Sequence, residues 1–223
     1  MSLASLNTLP GVHQAFGLLA DQGVVTKLQS GRLDAVADED IHAEFGVIWT
    51  FNEALVGSVS LEVNTETQGG WMEEMRFEFA LQGFGAGRQL IRQVASLCID
   101  LGLDEIRGQA SDIGRYAWAR CGFDFGNDDE RDLVVTCAEE IAAALGRSLD
   151  SSDIVHSWDL AELDGDDVPM AVATELFADH VKLKNGVDSI PYGMALLLGP
   201  KGNDWVGCLN LCAGSLSRGQ LGS

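Results

Sequence analysis

Alternating and apolar positions predict a strand-rich beginning to the chain. Three segments, 45–51, 55–63 and 71–81, are rich in β-branched, aromatic or alternating apolar residues, and short turn-forming stretches separate them. A weaker strand candidate at 24–28 precedes them. Strand-like runs joined by short turns predict an antiparallel meander.

The hydrophobic period changes after residue 81, from the two-residue spacing of a strand to that of a helix. The apolar residues at helical spacing are Leu90, Ile91, Val94, Leu97, Cys98 and Leu101. Gly102 follows them and is the kind of residue that ends a helix. This pattern predicts one amphipathic helix directly after the meander.

Shorter elements are predicted beyond this helix. Residues 104–109 form a strand candidate, and Ser111 or Asp112 is suited to cap a second helix that Gly122 ends. Residues 123–125 form another short strand candidate. The first 126 residues therefore predict a mixed, mostly antiparallel sheet flanked by helices.

Residues 127–223 are predicted to form a C-terminal extension to the 1–126 core. An acidic stretch at 127–132 separates the two, and the amphipathic segments 132–145 and 169–181 predict two helices.

The end of the extension predicts a β-hairpin, with strands at 192–198 and 205–211 around a turn at 199–204. Two interpretations remain open. The hairpin supplies the last strand of the sheet, with 127–190 as a helical insertion, or it is a separate docking element.

The net charge of the chain limits the classes of molecule that it is expected to bind. The 223 residues include 34 acidic and 14 basic side chains, a net charge of −20. Such a chain repels phosphate backbones, so no nucleic acid partner is expected. The acidity either promotes solubility or attracts cationic substrates. No apolar run is long enough for a membrane span, and the N-terminus lacks the basic region of a signal peptide, so a cytoplasmic location is expected.

One window departs from this acidity. Residues 76–120 contain six arginines and five acidic residues, a local charge of +1. The arginines are Arg76, Arg88, Arg92, Arg107, Arg115 and Arg120. A phosphorylated ligand would be attracted to this window more than to any other part of the chain.

Cysteine and histidine spacing predicts neither a disulfide framework nor a metal site. The five cysteines include no CxxC pair, and the four histidines form no HxxxH or HExxH motif. No metal cofactor is expected.

The segment Gln82-Gly-Phe-Gly-Ala-Gly-Arg88 lies between a predicted strand and a predicted helix. Its glycines let the backbone approach a ligand closely, and the helix N-terminus adds unpaired N–H donors. The combination suits a pyrophosphate. It lacks the GxGxxG spacing of a dinucleotide fold and the Gly-Lys-Ser/Thr of a P-loop.

This Gln-x-x-Gly-x-Gly loop resembles the acyl-CoA loop of the GNAT N-acetyltransferases. The order of elements is also similar to that family: a meander, the glycine loop, a helix, a short strand, a second helix and Gly122-Phe123. The resemblance covers roughly residues 24–126 and implies a GNAT-like core that uses acetyl-CoA.

The resemblance also implies residues that bind the cofactor. Backbone N–H groups from Phe84 to Arg88 would hold the pyrophosphate, with Arg92 as a further phosphate contact. Ser111 lies near the position where the family often has an asparagine. The full set is Phe79, Leu81, Gln82, Gly83, Phe84, Gly85, Ala86, Gly87, Arg88 and Ser111.

Catalytic candidates follow from the same resemblance. Glu73 and Glu74 stand where the family often has a carboxylate that acts as a general base. Trp118 occupies the position at which many members have a tyrosine that protonates the leaving thiolate. Tyr116 is either a replacement acid or a packing residue, and Cys121 is a weaker candidate that suits a buried position better.

Two functions remain open from the sequence. The first is an acetyl-CoA-dependent N-acetyltransferase that transfers an acetyl group to a primary amine, with a cationic small molecule or peptide as acceptor. The second is a catalytically inactive GNAT-fold module used for binding or assembly. A homodimer is also left open, because the predicted apolar hairpin offers a surface for pairing.

Overall fold

The computed structural model describes residues 25–36, 40–51, 54–64, 69–77, 86–100, 102–177, 187–199 and 204–211. The chain divides into two compact units. The first lies within Met1–Gly108 and Asn210–Ser223, and the second is Gln109–Leu209.

Five strands organise the first unit. They are β1 (Val25–Val36), β2 (Asp40–Phe51), β3 (Ala54–Asn64), β4 (Gly69–Phe77) and β5 (Glu105–Ala110), the last two residues of which belong to the second unit. The first four pair as consecutive antiparallel neighbours, and β5 pairs parallel to β4. This arrangement confirms the meander and the mixed, mostly antiparallel sheet.

Helix α1 (Ala86–Asp100) connects β4 to β5, as a parallel strand pair requires. Its Ile91, Val94 and Cys98 are completely buried, in agreement with the predicted apolar stripe. Gly102 ends the helix in a left-handed conformation (φ 78°), and its N–H donates to the carbonyl of Ile99 at 2.9 Å. The glycine is needed here because other residues rarely adopt that conformation.

Burial raises the pKa of the Cys98 thiol from 9.0 to about 12. The thiol of the unfolded chain ionises above pH 9, whereas the folded thiol stays protonated. The stability that Cys98 contributes is therefore complete below pH 9 and is lost, by about 1.4 kcal/mol per pH unit, as the pH rises towards 12. We expect urea unfolding between pH 8 and 11 to show a steeper loss of stability in wild type than in Cys98→Ala, because the variant keeps only the contributions of other groups such as the Cys137 thiol, whose pKa burial also raises. Parallel pH profiles would contradict the prediction.

The second unit contains five helices and four short strands in the part that the structure describes. In chain order they are α2 (Gly114–Arg120), β6 (Asp124–Phe125), α3 (Asp128–Ala144), α4 (Ser157–Ala161), β7 (Val168–Pro169), α5 (Met170–Phe177), β8 (Ser189–Ile190), α6 (Tyr192–Leu198) and β9 (Trp205–Asn210), with Asn210 assigned to the first unit. A 3-10 turn covers Ser151–Asp153.

The core of the second unit surrounds α6, all seven residues of which are buried. Helices α2, α3 and α4 pack against it. Gly193 permits the close approach of α4, because a β-carbon there would lie 2.7 Å from the carbonyl oxygen of Ala161. The units divide at residue 108, rather than at the predicted boundary of 126, because α2 and β6 pack with the later helices.

The predicted C-terminal hairpin is wrong. Residues 192–198 form helix α6, not a strand, and β9 pairs antiparallel with β6 instead, with Asp124 opposite Cys208 and Phe125 opposite Gly207. A short apolar run that is buried on every side has no periodicity that distinguishes a strand from a helix. The prediction that 205–211 contains a strand holds for 205–210.

The two predicted helices of the extension are present with different boundaries. Helix α3 begins at Asp128, so the expected acidic linker is largely the first turn of a helix. The Asn127 side chain caps it by accepting a hydrogen bond from the Glu130 N–H at 2.9 Å. The acidic residues of that turn interact favourably with the positive end of the helix dipole. Helix α5 covers Met170–Phe177, and 178–181 lies outside the described residues.

Within the described ranges, no helix combines the length and the apolar character needed to cross a membrane.

Candidate functional site

Strand β4 changes its pairing halfway along its length. Its parallel register with β5 runs from Gly69 opposite Glu105 to Met72 opposite Gly108, although β4 continues to Phe77. At the same point the register with β3 shifts, because Met72 lies opposite Leu61 and Glu74 lies opposite Ser60. Glu73 is therefore the extra residue of a β-bulge, and the strand bends where its pairing with β5 ends.

The bulge lies at the two glutamates whose carboxylates were predicted to act as a general base. Glu73 is the bulged residue and Glu74 the next one. Bulges re-aim side chains and interrupt backbone pairing, and they are frequent next to active sites. The bulge also breaks the simple two-residue alternation predicted for 71–81. Whether either carboxylate acts as a base stays a prediction.

Six of the ten predicted cofactor-binding positions lie outside the described residues. These positions are Phe79, Leu81, Gln82, Gly83, Phe84 and Gly85. Ala86, Gly87 and Arg88 form the beginning of α1, which confirms that a helix opens at this motif. The first turn of α1 contains no acidic residue, so no side chain of that turn neutralises the positive end of its dipole.

Two arginines project from the first half of α1. Arg88 and Arg92 are one helical turn apart, and both are half-buried. The Nε and Nη2 atoms of Arg92 are buried and have no hydrogen-bond partner. Buried donors normally have a partner, so this guanidinium is a candidate ligand for an anion.

The other described arginines of the 76–120 window interact with protein groups. Arg107 forms an exposed ion pair with Glu105 at 2.7 Å. Arg120 pairs with Glu162 at 3.3 Å. Arg115 is 2% exposed, and its Nε donates to the carbonyl of Asp112 at 3.2 Å. Three of the arginines that make this window positive therefore interact with groups of the protein itself.

Burial also affects the ionisation of Arg115. Desolvation lowers the pKa of its guanidinium below the usual value for arginine, and the nearby negative charges of Asp204 and Asp112 oppose that shift. This environment gives Arg115 a structural role inside the second unit.

The beginning of α2 differs from the prediction. The N-cap residue is Ile113, which makes no side-chain capping bond, so neither Ser111 nor Asp112 caps the helix with its side chain. Instead the Ser111 carbonyl accepts the Gly114 N–H at 2.8 Å. The Ser111 side chain is exposed, which leaves it available for the predicted ligand contact.

Trp118 and Tyr116 have different environments. Trp118 is 4% exposed and packs on Phe123, with ring centroids 4.3 Å apart. Tyr116 is half-buried. The indole therefore belongs to the core, whereas the Tyr116 phenol is partly accessible. Cys121 is buried, as the sequence suggested.

One polar cluster in the second unit has no counterpart in the sequence predictions. Asp124 Oδ2 lies 2.6 Å from His156 Nδ1, and Asp124 Oδ1 accepts the backbone N–H groups of Phe125 and Ser157. The His156 ring stacks on Trp158 at 4.3 Å. The cluster fastens β6 to the start of α4. No local sequence motif predicts this cluster, because 32 residues separate the carboxylate from the imidazole.

Comparison with known proteins identifies the class to which residues 18–123 belong. Residues 18–123 match the family model of the acetyltransferase (GNAT) family, so this part of the chain contains a GNAT-type domain. The match confirms the resemblance found in the sequence. No curated protein sequence matches the chain.

Solved structures with similarity to the chain are distant. A nourseothricin acetyltransferase is 16% identical, with 54% of this chain and 82% of that chain covered and a TM-score of 0.35. A spermidine N-acetyltransferase chimera from Vibrio cholerae and hSSAT is 22% identical, with 38% and 55% covered and a TM-score of 0.31. A Bacillus subtilis acetyltransferase in complex with CoA is 12% identical, with 82% and 99% covered and a TM-score of 0.32.

Proposed function

We propose that this chain is an acetyl-CoA-dependent N-acetyltransferase that transfers an acetyl group to a primary amine. The observation that carries the proposal is the end of β4–β5 pairing at Met72 and Gly108, beside the bulge at Glu73. Beyond Met72, the described part of β4 is no longer paired in register with β5. It offers N–H and C=O groups that a pantetheine amide can pair with, as in strand addition.

The beginning of α1 supports an anionic end for the same ligand. Its first turn provides unpaired N–H donors without competing acidic side chains, and Arg92 holds two unpartnered donors. Acetyl-CoA has this chemistry, since an amide-containing arm leads to a pyrophosphate. The described residues therefore fit the proposed donor.

The reaction needs few protein groups. The amine nitrogen attacks the thioester carbonyl carbon, a C–N bond forms and the C–S bond breaks. The amine gives up a proton and the leaving thiolate gains one. We assign the proton-accepting role to Glu73 or Glu74 and the proton-donating role to Tyr116, and backbone N–H groups at the end of β4 would polarise the carbonyl.

A cationic acceptor agrees with the charge of the chain. The second unit alone contains 19 acidic and 7 basic residues, a net charge of −12 of the total of −20. This field raises the local concentration of amines that are protonated in solution. A polyamine, an amino sugar, a lysine side chain or a peptide N-terminus meets the requirement.

A catalytically inactive binding module is the second candidate. The burial of Trp118 favours it, because the position at which many GNAT members have a phenol holds a core indole. Indole cannot donate a proton as an acid at neutral pH.

Two measurements separate the candidates. Calorimetric titration with acetyl-CoA, free CoA and 3′-dephospho-CoA tests for a CoA-binding protein, and micromolar affinity is expected. Release of free thiol from acetyl-CoA with a panel of amines tests for an enzyme. Binding without thiol release supports an inactive module that binds CoA. The absence of binding contradicts the enzyme and favours a module used for assembly.

Gly85→Glu is expected to abolish acetyl-CoA binding while the chain still folds. A carboxylate at this position of the glycine loop would repel the pyrophosphate and fill the space that the backbone needs. Ser96→Glu is the matched control, because it adds the same charge to an exposed position of α1. Equal affinities of Gly85→Glu and wild type by calorimetry would contradict the assignment of the loop.

A further inference from the structure

Strand β1 is the terminal strand of its sheet. Within the described residues its one neighbouring strand is β2, so the N–H and C=O groups of its other edge pair with no described strand. The strand has 12 residues, which is longer than most strands. A long edge of this kind pairs with further strands unless charges, prolines or bulges prevent it.

A β-bulge divides β1 into two parts. Its register with β2 shifts between Leu28 and Ser30, which leaves Gln29 as the extra residue. From Ser30 to Val36 the register continues without interruption. We call this regular part, Ser30–Val36, the edge segment.

The edge segment, Ser-Gly-Arg-Leu-Asp-Ala-Val, is complementary to itself in the antiparallel direction. When two copies pair about a twofold axis through Leu33, Arg32 of each copy lies opposite the partner's Asp34. Symmetry makes the two charge pairs identical. Opposite charges on directly facing residues stabilise a pair of strands.

The neighbouring registers bring like charges together. Moving the twofold axis by one residue towards the N-terminus places Arg32 opposite the partner's Arg32. Moving it by one residue towards the C-terminus places Asp34 opposite the partner's Asp34. Like charges in directly opposite positions are destabilising, so the sequence favours the register centred on Leu33 and disfavours both neighbours.

The pairing of β1 with β2 continues the charge pattern on both sides of this interface. Within one copy, Arg32 lies opposite Glu44 and Asp34 lies opposite His42. Across two copies the row therefore contains Glu44, Arg32, the partner's Asp34 and the partner's His42. The acidic positions alternate with arginine and histidine along the row.

The other face of the edge segment is apolar. Residues two apart share a face of a strand, which places Gly31, Leu33 and Ala35 together. Leu33 lies opposite Ala43 of β2. Across two copies this row contains only alanine and leucine, so the joined sheet keeps one polar and one apolar face.

We propose that β1 is a homodimer interface, in which the edge segments of two copies pair antiparallel about a twofold axis at Leu33. The pairing joins the two meanders into one continuous sheet. A second copy of this chain supplies the complementary charges by symmetry. The proposal does not depend on the use of acetyl-CoA, and it replaces the predicted C-terminal hairpin, which is absent, as the basis for a dimer.

Charge reversal with mixing tests this register. Arg32→Asp and Asp34→Arg each place like charges opposite one another in a self-pair, so sedimentation analysis should show self-association at least about 10-fold weaker than in wild type. An equimolar mixture of the two variants should form a heterodimer, because both charge pairs are again complementary. Arg107→Asp is the matched control, since it makes the same change at an exposed position of β5 and should dimerise as wild type does.

Circular dichroism first establishes that each variant is folded, because both positions also lie opposite β2. If a reversal prevents folding, the neutral variants Arg32→Gln and Asp34→Asn replace it, and each should weaken self-association. Wild type that is monomeric at about 100 µM overturns the proposal. Folded variants that dimerise as wild type does also overturn it, as does a mixture of the two reversals that stays monomeric.

Discussion

Replacing Trp118 by alanine is expected to lower the free energy of unfolding by about 4 kcal/mol. Trp118 is almost fully buried and packs on Phe123 at a tilt of 59° between the rings. The substitution removes the area of a large aromatic side chain from the core and leaves a cavity that the surrounding helices fill only in part. For a chain of this size, the melting temperature should fall by about 10 °C.

Tyr116→Ala is the matched control for Trp118→Ala. Tyr116 lies on the same helix and is half-buried, so its truncation should cost less than half as much stability. Urea unfolding followed by circular dichroism measures both variants. A Trp118→Ala protein as stable as wild type would show that the indole does not belong to the core.

Enzymatic activity should depend on Tyr116 and not on Trp118, which is the opposite of the order expected for stability. If the chain is an enzyme and Tyr116 protonates the leaving thiolate, Tyr116→Phe lowers kcat and leaves acetyl-CoA affinity and stability unchanged. Trp118→Phe should keep the activity, because its role is packing. The reverse result would assign the catalytic position to residue 118.

Gly193→Ala is the second change with a large expected effect on stability. The new β-carbon would overlap the backbone carbonyl groups of Leu160 and Ala161, which lie in another helix and cannot move aside as a flexible side chain can. Overpacking of this kind costs about 3 kcal/mol, and the better helix propensity of alanine recovers about 1 kcal/mol. We therefore expect a net loss of about 2 kcal/mol.

Gly114→Ala provides the control with the opposite sign. A β-carbon there would lie 3.5 Å from Trp118, an ordinary van der Waals contact, and Gly114 has no positive φ. Alanine restricts the unfolded chain more than glycine does, so this variant should be stabilised by a few tenths of a kcal/mol to about 1 kcal/mol. Thermal unfolding of both variants tests the pair. If Gly193→Ala were as stable as Gly114→Ala, α4 and α6 would not be in close contact.

Local sequence patterns were sufficient for the order of the described elements of the first unit, although β1 and β2 are longer than the predicted strands 24–28 and 45–51. β-branched and aromatic residues between turns predict the strands of the meander. The apolar stripe and Gly102 predict α1. Both signals depend on interactions within one element or between neighbours in the chain. The glycine loop, with the order of elements around it, was also sufficient to suggest the GNAT family that the match at 18–123 confirms.

Local patterns were not sufficient for the second unit. Residues 192–198 are apolar throughout, and only the helices that surround them decide that they form a helix. Strand β9 finds its partner in β6, about 80 residues earlier in the chain, and no turn between neighbouring residues encodes that pairing. The start of α3 is different, because the Asn127 cap on the Glu130 N–H is a local signal within a stretch that was predicted as a linker.

The same distinction applies to the candidate site. The sequence by itself determined which residue types are available: the glycine loop, the carboxylates Glu73 and Glu74, and the excess of arginines. Only the tertiary structure decided that Glu73 is a bulge and that Trp118 belongs to the core. Only it showed that Nε and Nη2 of Arg92 lack a partner. Bulges, burial and orphaned donors arise from contacts between segments far apart in the chain, and a linear pattern contains no record of those contacts.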